Sequence, residues 1–271
     1  MRCVGLVAQS TAGEALRHRL WLVVAAAAAA FGGGALGLRA LNFGASEPRF
    51  LLDAGFGAQW VFGAILAIVA TAQLFFAEIE RRTVLMVLAR PVPRGGFLMG
   101  KLGGVLLLLG GFCGLMTGLV VAVLWWRGGG VERADSGLPV LGRWAFLADV
   151  AWSGLILWLR LGVLAAMTLL VASYTRSSLF SMTAGFLLLI ICQLKHLAQG
   201  FLAMMENPLA RGLARLYQLL LPDFELLNAS DRVVAGEGLS AGLLCTQVLY
   251  ALTYIGVFGL LAAYCFRHRE L

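Results

Sequence analysis

Residues 95–101, GGFLMGK, carry Gly95, Gly100 and Lys101 in the spacing G-x-x-x-x-G-K. This is the first part of a phosphate-binding loop, in which backbone N–H groups cradle phosphates, the lysine reaches them and a following Ser or Thr holds magnesium. Here Leu102 follows, so the magnesium position is lost, and the loop leads into a long apolar run instead of a soluble helix. No other stretch offers the pattern. If ATP drives this protein, the ATPase is another chain. The three histidines, His18, His196 and His268, are far apart and form no H-E-x-x-H pair, so no metal site is expected. The five cysteines form no C-x-x-C pair, and most lie in apolar runs, where they read as small packing residues. Arg160, in LILWLRLGVLAAM, is different. A charge in the middle of such a run costs about 2.5–3.5 kcal/mol on insertion scales and usually faces a bundle interior or a path. It is a candidate for a transport path or gate, or for one half of an internal ion pair. Asp149 shares its helical face but is about 16 Å away by helix rise. Glu78 could pair with it if their helices are adjacent.

The residues around these candidates decide the solvent. The chain has 271 residues, 61% of them hydrophobic and only 13% charged, with a mean hydropathy of +0.88. A soluble domain carries roughly 25% charged residues. This composition cannot cover a water-facing surface, so lipid is the expected solvent. The net charge of +7 then suits basic loops at an anionic membrane face. Aromatic residues do not interleave with a basic stripe, so nucleic acid is not an expected partner.

Six apolar runs approach the roughly 20 residues that cross about 30 Å of hydrocarbon. They lie near Leu20–Leu38, Gln59–Ala77, Leu102–Trp126, Val150–Ser173, Leu179–Leu194 and Gly242–Phe266. The first is longer than the hydrophobic region of a cleaved signal and reads as a span. Lipid forbids open strands, so the expected fold is an all-α integral membrane protein, one membrane domain over residues 1–271. Residues 1–19 are expected as an interfacial or a solvated N-terminal helix, and residues 195–241 as a long outer loop. In that loop Leu209, Leu213, Leu216 and Leu220 share one side of an amphipathic stretch that Pro222 ends; this is either a partly re-entrant helix or an ordinary structured loop.

With the N-terminus inside, eleven Lys and Arg residues fall on the inner side. Five fall on the outer side once the four in the long loop are set aside. The asymmetry places both termini in the cytoplasm. In the third run Gly110, Gly114 and Gly118 recur every four residues. They let another helix approach, as static packing within the bundle, a moving seam or a dimer contact.

The segment between the second and third runs, EIERRTVLMVLARPVPRGGFLMGK (residues 78–101), holds seven charged side chains and two prolines. It is longer than a plain turn between helices needs. Val84, Leu85 and Leu88 make an apolar face beside Glu80, Arg81 and Thr83. Arg90 precedes Pro91 and so leaves the helical region. A short cytoplasmic helix set by a proline turn is expected, with a shape suited to docking.

The same segment resembles the signature between the second and third spans of permeases in the ABC type-2 exporter family. Glu78, Glu80, Arg82, Thr83, Arg90, Pro91, Val92, Arg94, Gly100 and Lys101 match, with Pro93 where serine is common. LLPDFELLN (Leu220–Asn228) resembles the family's stretch before the last span. The resemblance implies six transmembrane helices with a coupling helix between spans 2 and 3. It implies a partner ATP-binding subunit that holds ATP and magnesium, this chain having no cofactor of its own. It also implies a second permease copy or homologous permease, in a bacterial cytoplasmic (inner) membrane. The contacts with the ATPase would be made by Glu78, Glu80, Arg81, Arg82, Thr83, Val84, Leu88, Arg90, Pro91, Arg94 and Lys101. Rival classes are an intramembrane enzyme, a secondary carrier and a membrane assembly factor. The first lacks a cluster of catalytic side chains at membrane depth, and the second lacks acidic residues in mid-span and repeated halves. The third stays open, as does the substrate.

Overall fold

The computed structural model describes residues 24–29, 31, 34, 47–80, 94–126, 143–203, 220–235 and 238–267. Among them the regular elements are all helices: α1 Glu47–Glu80, α2 Arg94–Trp126, α3 Arg143–Tyr174, α4 Ser178–Ala203, α5 Ala229–Ala235 and α6 Ala241–Arg267. Five of these are long and apolar enough to cross a membrane: Phe50–Ala77, Leu98–Trp126, Phe146–Tyr174, Ser178–Lys195 and Ala241–Arg267. Of the first expected span, residues 24–29, 31 and 34 are described, and they are helical. Ala27 and Phe31 are buried there. The rest of that span, the N-terminal segment 1–19 and residues 81–93 lie outside the described residues.

Helices suit these runs because hydrocarbon offers backbone groups no other partner. Several of their hydroxyls are satisfied within the same helix. Thr71 Oγ1 donates to the Ala67 carbonyl at 2.6 Å, Thr168 Oγ1 to Leu164 at 2.9 Å and Ser153 Oγ to Asp149 at 2.9 Å. The ends depart from the apolar runs. α1 starts at Glu47, twelve residues before Gln59. Asp53, which interrupts the run, lies on an exposed face, while Leu51, Leu52 and Phe56 on the other face are buried. α2 starts at Arg94, directly after Pro93. α4 continues through residues 195–203, expected as loop, and α5 stands inside the remainder of that loop.

α3 is the central helix. Of its most apolar stretch 78% is buried, against 22% in α4 and 28% in α6, and it packs on α1, α2, α4, α5 and α6. Glycines set the close crossings. A Cβ on Gly63 of α1 would come 2.5 Å from Leu161 of α3, and one on Gly162 of α3 would come 2.7 Å from Leu106 of α2. Gly55 faces Val120 and Gly154 faces Thr117, so α1, α2 and α3 run alternately up and down. Residues 175–177 join α3 to α4 directly. Phe75 of α1 meets Phe266 of α6 edge to face, with centroids 5.9 Å apart. One end of the bundle therefore gathers Glu80, Arg94, Tyr174, Ser178 and Arg267. The opposite end gathers Trp126, Arg143, Lys195, α5 and the start of α6.

Candidate functional site

Arg160 lies near the middle of α3 and is only 4% exposed. Its guanidinium carbon sits 3.8 Å from the ring centroid of Trp60 on α1 and 5.4 Å from that of Phe224. Trp60 and Phe224 meet each other edge to face, 5.7 Å apart. Arg160 Nη2 donates to Gln193 Oε1 of α4 at 3.2 Å, while its Nε has no hydrogen-bond partner among the described residues. The carboxylates of Glu225, Asp231 and Asp223 act on it through space, in that order. The charge is thus held by two aromatic faces, one amide and a nearby layer of carboxylates. Contact with desolvated aromatic faces stabilises a cation by about 2 kcal/mol, a sizeable share of its insertion cost.

Phe224 reaches this depth because the chain folds back into the bundle after Leu220. Phe224 and Leu227 are each 1% exposed. Four spans grip the segment. α1 supplies Trp60 and α3 supplies Arg160. From α4, Lys195 Nζ donates to the Leu221 carbonyl at 2.6 Å. From α6, Gln247 Nε2 donates to the Leu226 carbonyl at 2.7 Å, and the Asp223 N–H donates to the Tyr250 hydroxyl at 2.8 Å. Pro222 breaks the helix, and the Glu225 N–H donates to Asp223 Oδ1 at 3.1 Å. The turn therefore forms locally, and its free carbonyls are left for Lys195 and Gln247. An open cavity of about 480 Å³ lies beside the segment, lined by residues of 223–232 and of the first turns of α6.

A second cleft of about 480 Å³ runs along α2 and α3 past Gly110, Gly114, Gly118, Gly154 and Trp158. Gly110 packs on the Trp158 indole, whose Nε1 donates to the Leu106 carbonyl at 2.9 Å. Beside Gly114 and Gly118 a Cβ would meet no atom within 4 Å among the described residues. Static packing within the chain thus accounts for Gly110 and not for the other two.

Of the expected coupling residues, four are described, on the last turns of α1 and the first turns of α2. Glu78 and Glu80 form the last turn of α1, and Arg94 opens α2. Arg81, Arg82, Thr83, Val84, Leu88, Arg90 and Pro91 lie outside the described residues. Lys101 lies within α2 and is 1% exposed, inside the bundle and not on its surface. Glu78 does not pair with Arg160. It stands eighteen residues from Trp60 on one continuous helix, about 27 Å by helix rise. The expectation of an internal ion pair is likewise replaced by the aromatic and amide contacts. Sequence reasoning singled out Arg160 and missed Trp60, Gln193, Lys195, Gln247 and Tyr250. The signal available was polarity: Gln193 and Gln247 interrupt apolar runs and carry groups that must find partners.

The family model described as ABC-2 family transporter protein matches residues 10–271. No curated protein matches the chain.

Proposed function

Because the chain belongs to the ABC-2 transporter family, of which it is a membrane permease subunit, we propose that it works as one half of an ATP-driven exporter. A separate ATP-binding subunit holds ATP and magnesium, and a second permease copy or a homologous permease supplies the other half. Both termini and residues 78–101 face the cytoplasm, in a bacterial inner membrane. The observation that carries the reading is the family match over nearly the whole chain. The charge-rich, proline-broken segment between α1 and α2 supports it as the place where the ATPase docks.

The segment acts through the two helices it joins. Docking at residues 78–94, through Glu80, Arg82, Val84, Leu88 and Arg94, pushes on the ends of α1 and α2. α1 runs unbroken from Glu80 to Trp60, about 30 Å by helix rise, and packs too closely at Gly63 for its neighbours to absorb the push. A displacement at the docking end therefore reaches the Trp60–Arg160–Phe224 stack, which closes the outer end of the bundle. Loosening the stack frees the 221–227 segment and opens that end. The aromatic contacts give the closed state a defined energy, which binding at the far end can offset.

Affinity capture of the tagged chain from its native membrane tests the reading. The expected result is an ATP-binding subunit at fixed stoichiometry, crosslinking to a cysteine placed at Thr83. Capture of the intact permease with no ATP-binding subunit would remove the basis for an ATP-driven function.

A further inference from the structure

The cavity beside the folded-back segment differs from the Arg160 stack in its chemistry. Its lining includes Glu225, Asn228, Asp231, Thr246, Gln247 and Tyr250. Neither Arg160 nor Lys195, which grip the same segment, is in the lining. The donors of the wall are largely spent inside it. Gln247 Nε2 goes to the Leu226 carbonyl, Asn228 Nδ2 to Asp231 Oδ2 at 2.6 Å, Thr246 Oγ1 to the Gly242 carbonyl at 2.9 Å and the Asp223 N–H to Tyr250. What remains toward the cavity is mostly acceptor. Three carboxylates line it, Asp223, Glu225 and Asp231, against one guanidinium, the exposed Arg232. Asp223 is half-buried and lies in the field of Lys195, whereas Glu225 and Asp231, which also lie in the field of Arg160, are exposed and are the charges open to an incoming group.

A second observation points to a ligand. Gln247 lines the cavity and is 8% exposed, and its Oε1 has no hydrogen-bond partner among the described residues. A buried acceptor left unpaired costs about 1–3 kcal/mol; Oε1 is covered at the cavity wall, and a donor that turns the wall side chains aside would recover it. A volume of about 480 Å³ lies in the range of small-molecule sites. Among the described residues no three His, Cys, Asp or Glu side chains come together as a metal ion would require. The carboxylates are spread around an organic-sized space, with Leu226 and Leu243 as apolar wall. We propose that this cavity is a binding site for an organic ammonium ion, whose N–H groups meet Gln247 Oε1 and the carboxylates of Glu225 and Asp231. The site deepens the permease reading and rests on it, since it gives the substrate, or a ligand of the outer end, its chemical class.

The full chain in lipid nanodiscs, titrated with the fluorescent primary amine dansylcadaverine, tests this. Saturable binding above that of empty nanodiscs is expected, and the N-acetylated, uncharged form should lose it. Glu225→Gln and Asp231→Asn should each weaken binding about tenfold. Both side chains are exposed, and asparagine at 231 keeps an acceptor oxygen for Asn228 Nδ2; an unchanged melting temperature checks that each variant is folded. Gln247→Leu should weaken binding at least about fivefold, and Asp53→Asn, at an exposed position on α1 outside the cavity, should leave it unchanged. Equal binding of the acetylated form, partition no greater than into empty nanodiscs, or one affinity across the variants would overturn the site. The permease reading fails separately, if no ATP-binding subunit is captured. A chain that binds the amine yet captures no ATPase keeps the site and loses the transporter.

Discussion

Replacing Trp60 with leucine removes the aromatic face that lies 3.8 Å from the Arg160 guanidinium and the edge contact to Phe224. A desolvated cation–aromatic contact stabilises by about 2 kcal/mol and an aromatic pair by about 1 kcal/mol. The closed arrangement of the 221–227 segment should therefore lose about 3 kcal/mol, a shift of about a hundredfold toward the open form. Cys192, beside Gln193, reports this shift, because it is only 2% exposed when the segment is closed. In a chain whose other four cysteines are alanine, a small charged methanethiosulfonate reagent labels Cys192 at a rate proportional to the open fraction. Trp60→Leu should raise that rate about a hundredfold over the parent. Trp60→Phe, which keeps an aromatic face, should raise it less than about tenfold. A rate within twofold of the parent in Trp60→Leu, with the protein still folded, would refute the claim that the stack holds the segment closed.

Helix contact and topology give two further outcomes. Gly154→Val places carbon against the Thr117 side chain and should destabilise the bundle by about 1–3 kcal/mol, read as a lower melting temperature in detergent. Gly118→Ala, where a Cβ meets nothing within 4 Å among the described residues, should leave the melting temperature unchanged. A cysteine at Gly95, next to the start of α2, should be labelled only from the inner side of sealed vesicles.

Five of the six expected spans were legible in the sequence because hydrocarbon imposes one requirement on every residue of a crossing helix. α4 and α6 begin within one residue of the apolar runs read for them, as helices from Ser178 and Ala241. α1 was read from Gln59 and starts at Glu47, and the added turns carry a carboxylate, Asp53. A helix tolerates such a residue where its face is exposed, and a one-dimensional run does not record faces. Arg160 was legible as an anomaly, since a mid-span charge must be accommodated. Its partners were not. Trp60 and Phe224 look like ordinary apolar residues, and they meet only because the chain turns back at Pro222, nineteen residues beyond the described end of α4. Glu78 was named as a partner open to Arg160 if their helices were adjacent, because charge seeks charge. The bundle instead puts Glu78 at the far end of α1 and gives Arg160 rings and an amide. The glycine row of α2 was read as one face, yet of its three glycines only Gly110 has a described side chain, the Trp158 indole, within 4 Å of a Cβ.

The central claim is that the segment joining α1 to α2 transmits ATP-driven motion from a partner, and stimulated hydrolysis measures it most directly. The permease is reconstituted with its captured ATP-binding subunit, and hydrolysis is compared with that of the subunit alone. Glu80→Ala, Arg82→Ala and Arg94→Ala each remove a charged contact at a desolvated interface, which costs about 2–5 kcal/mol or a factor of about 30 or more in affinity. Each should abolish stimulation at subunit concentrations near the parent's Kd, while Arg232→Ala at the opposite end keeps it in full. Full assembly and undiminished stimulation in all three variants would contradict the account and leave residues 78–101 as a basic loop facing the cytoplasm.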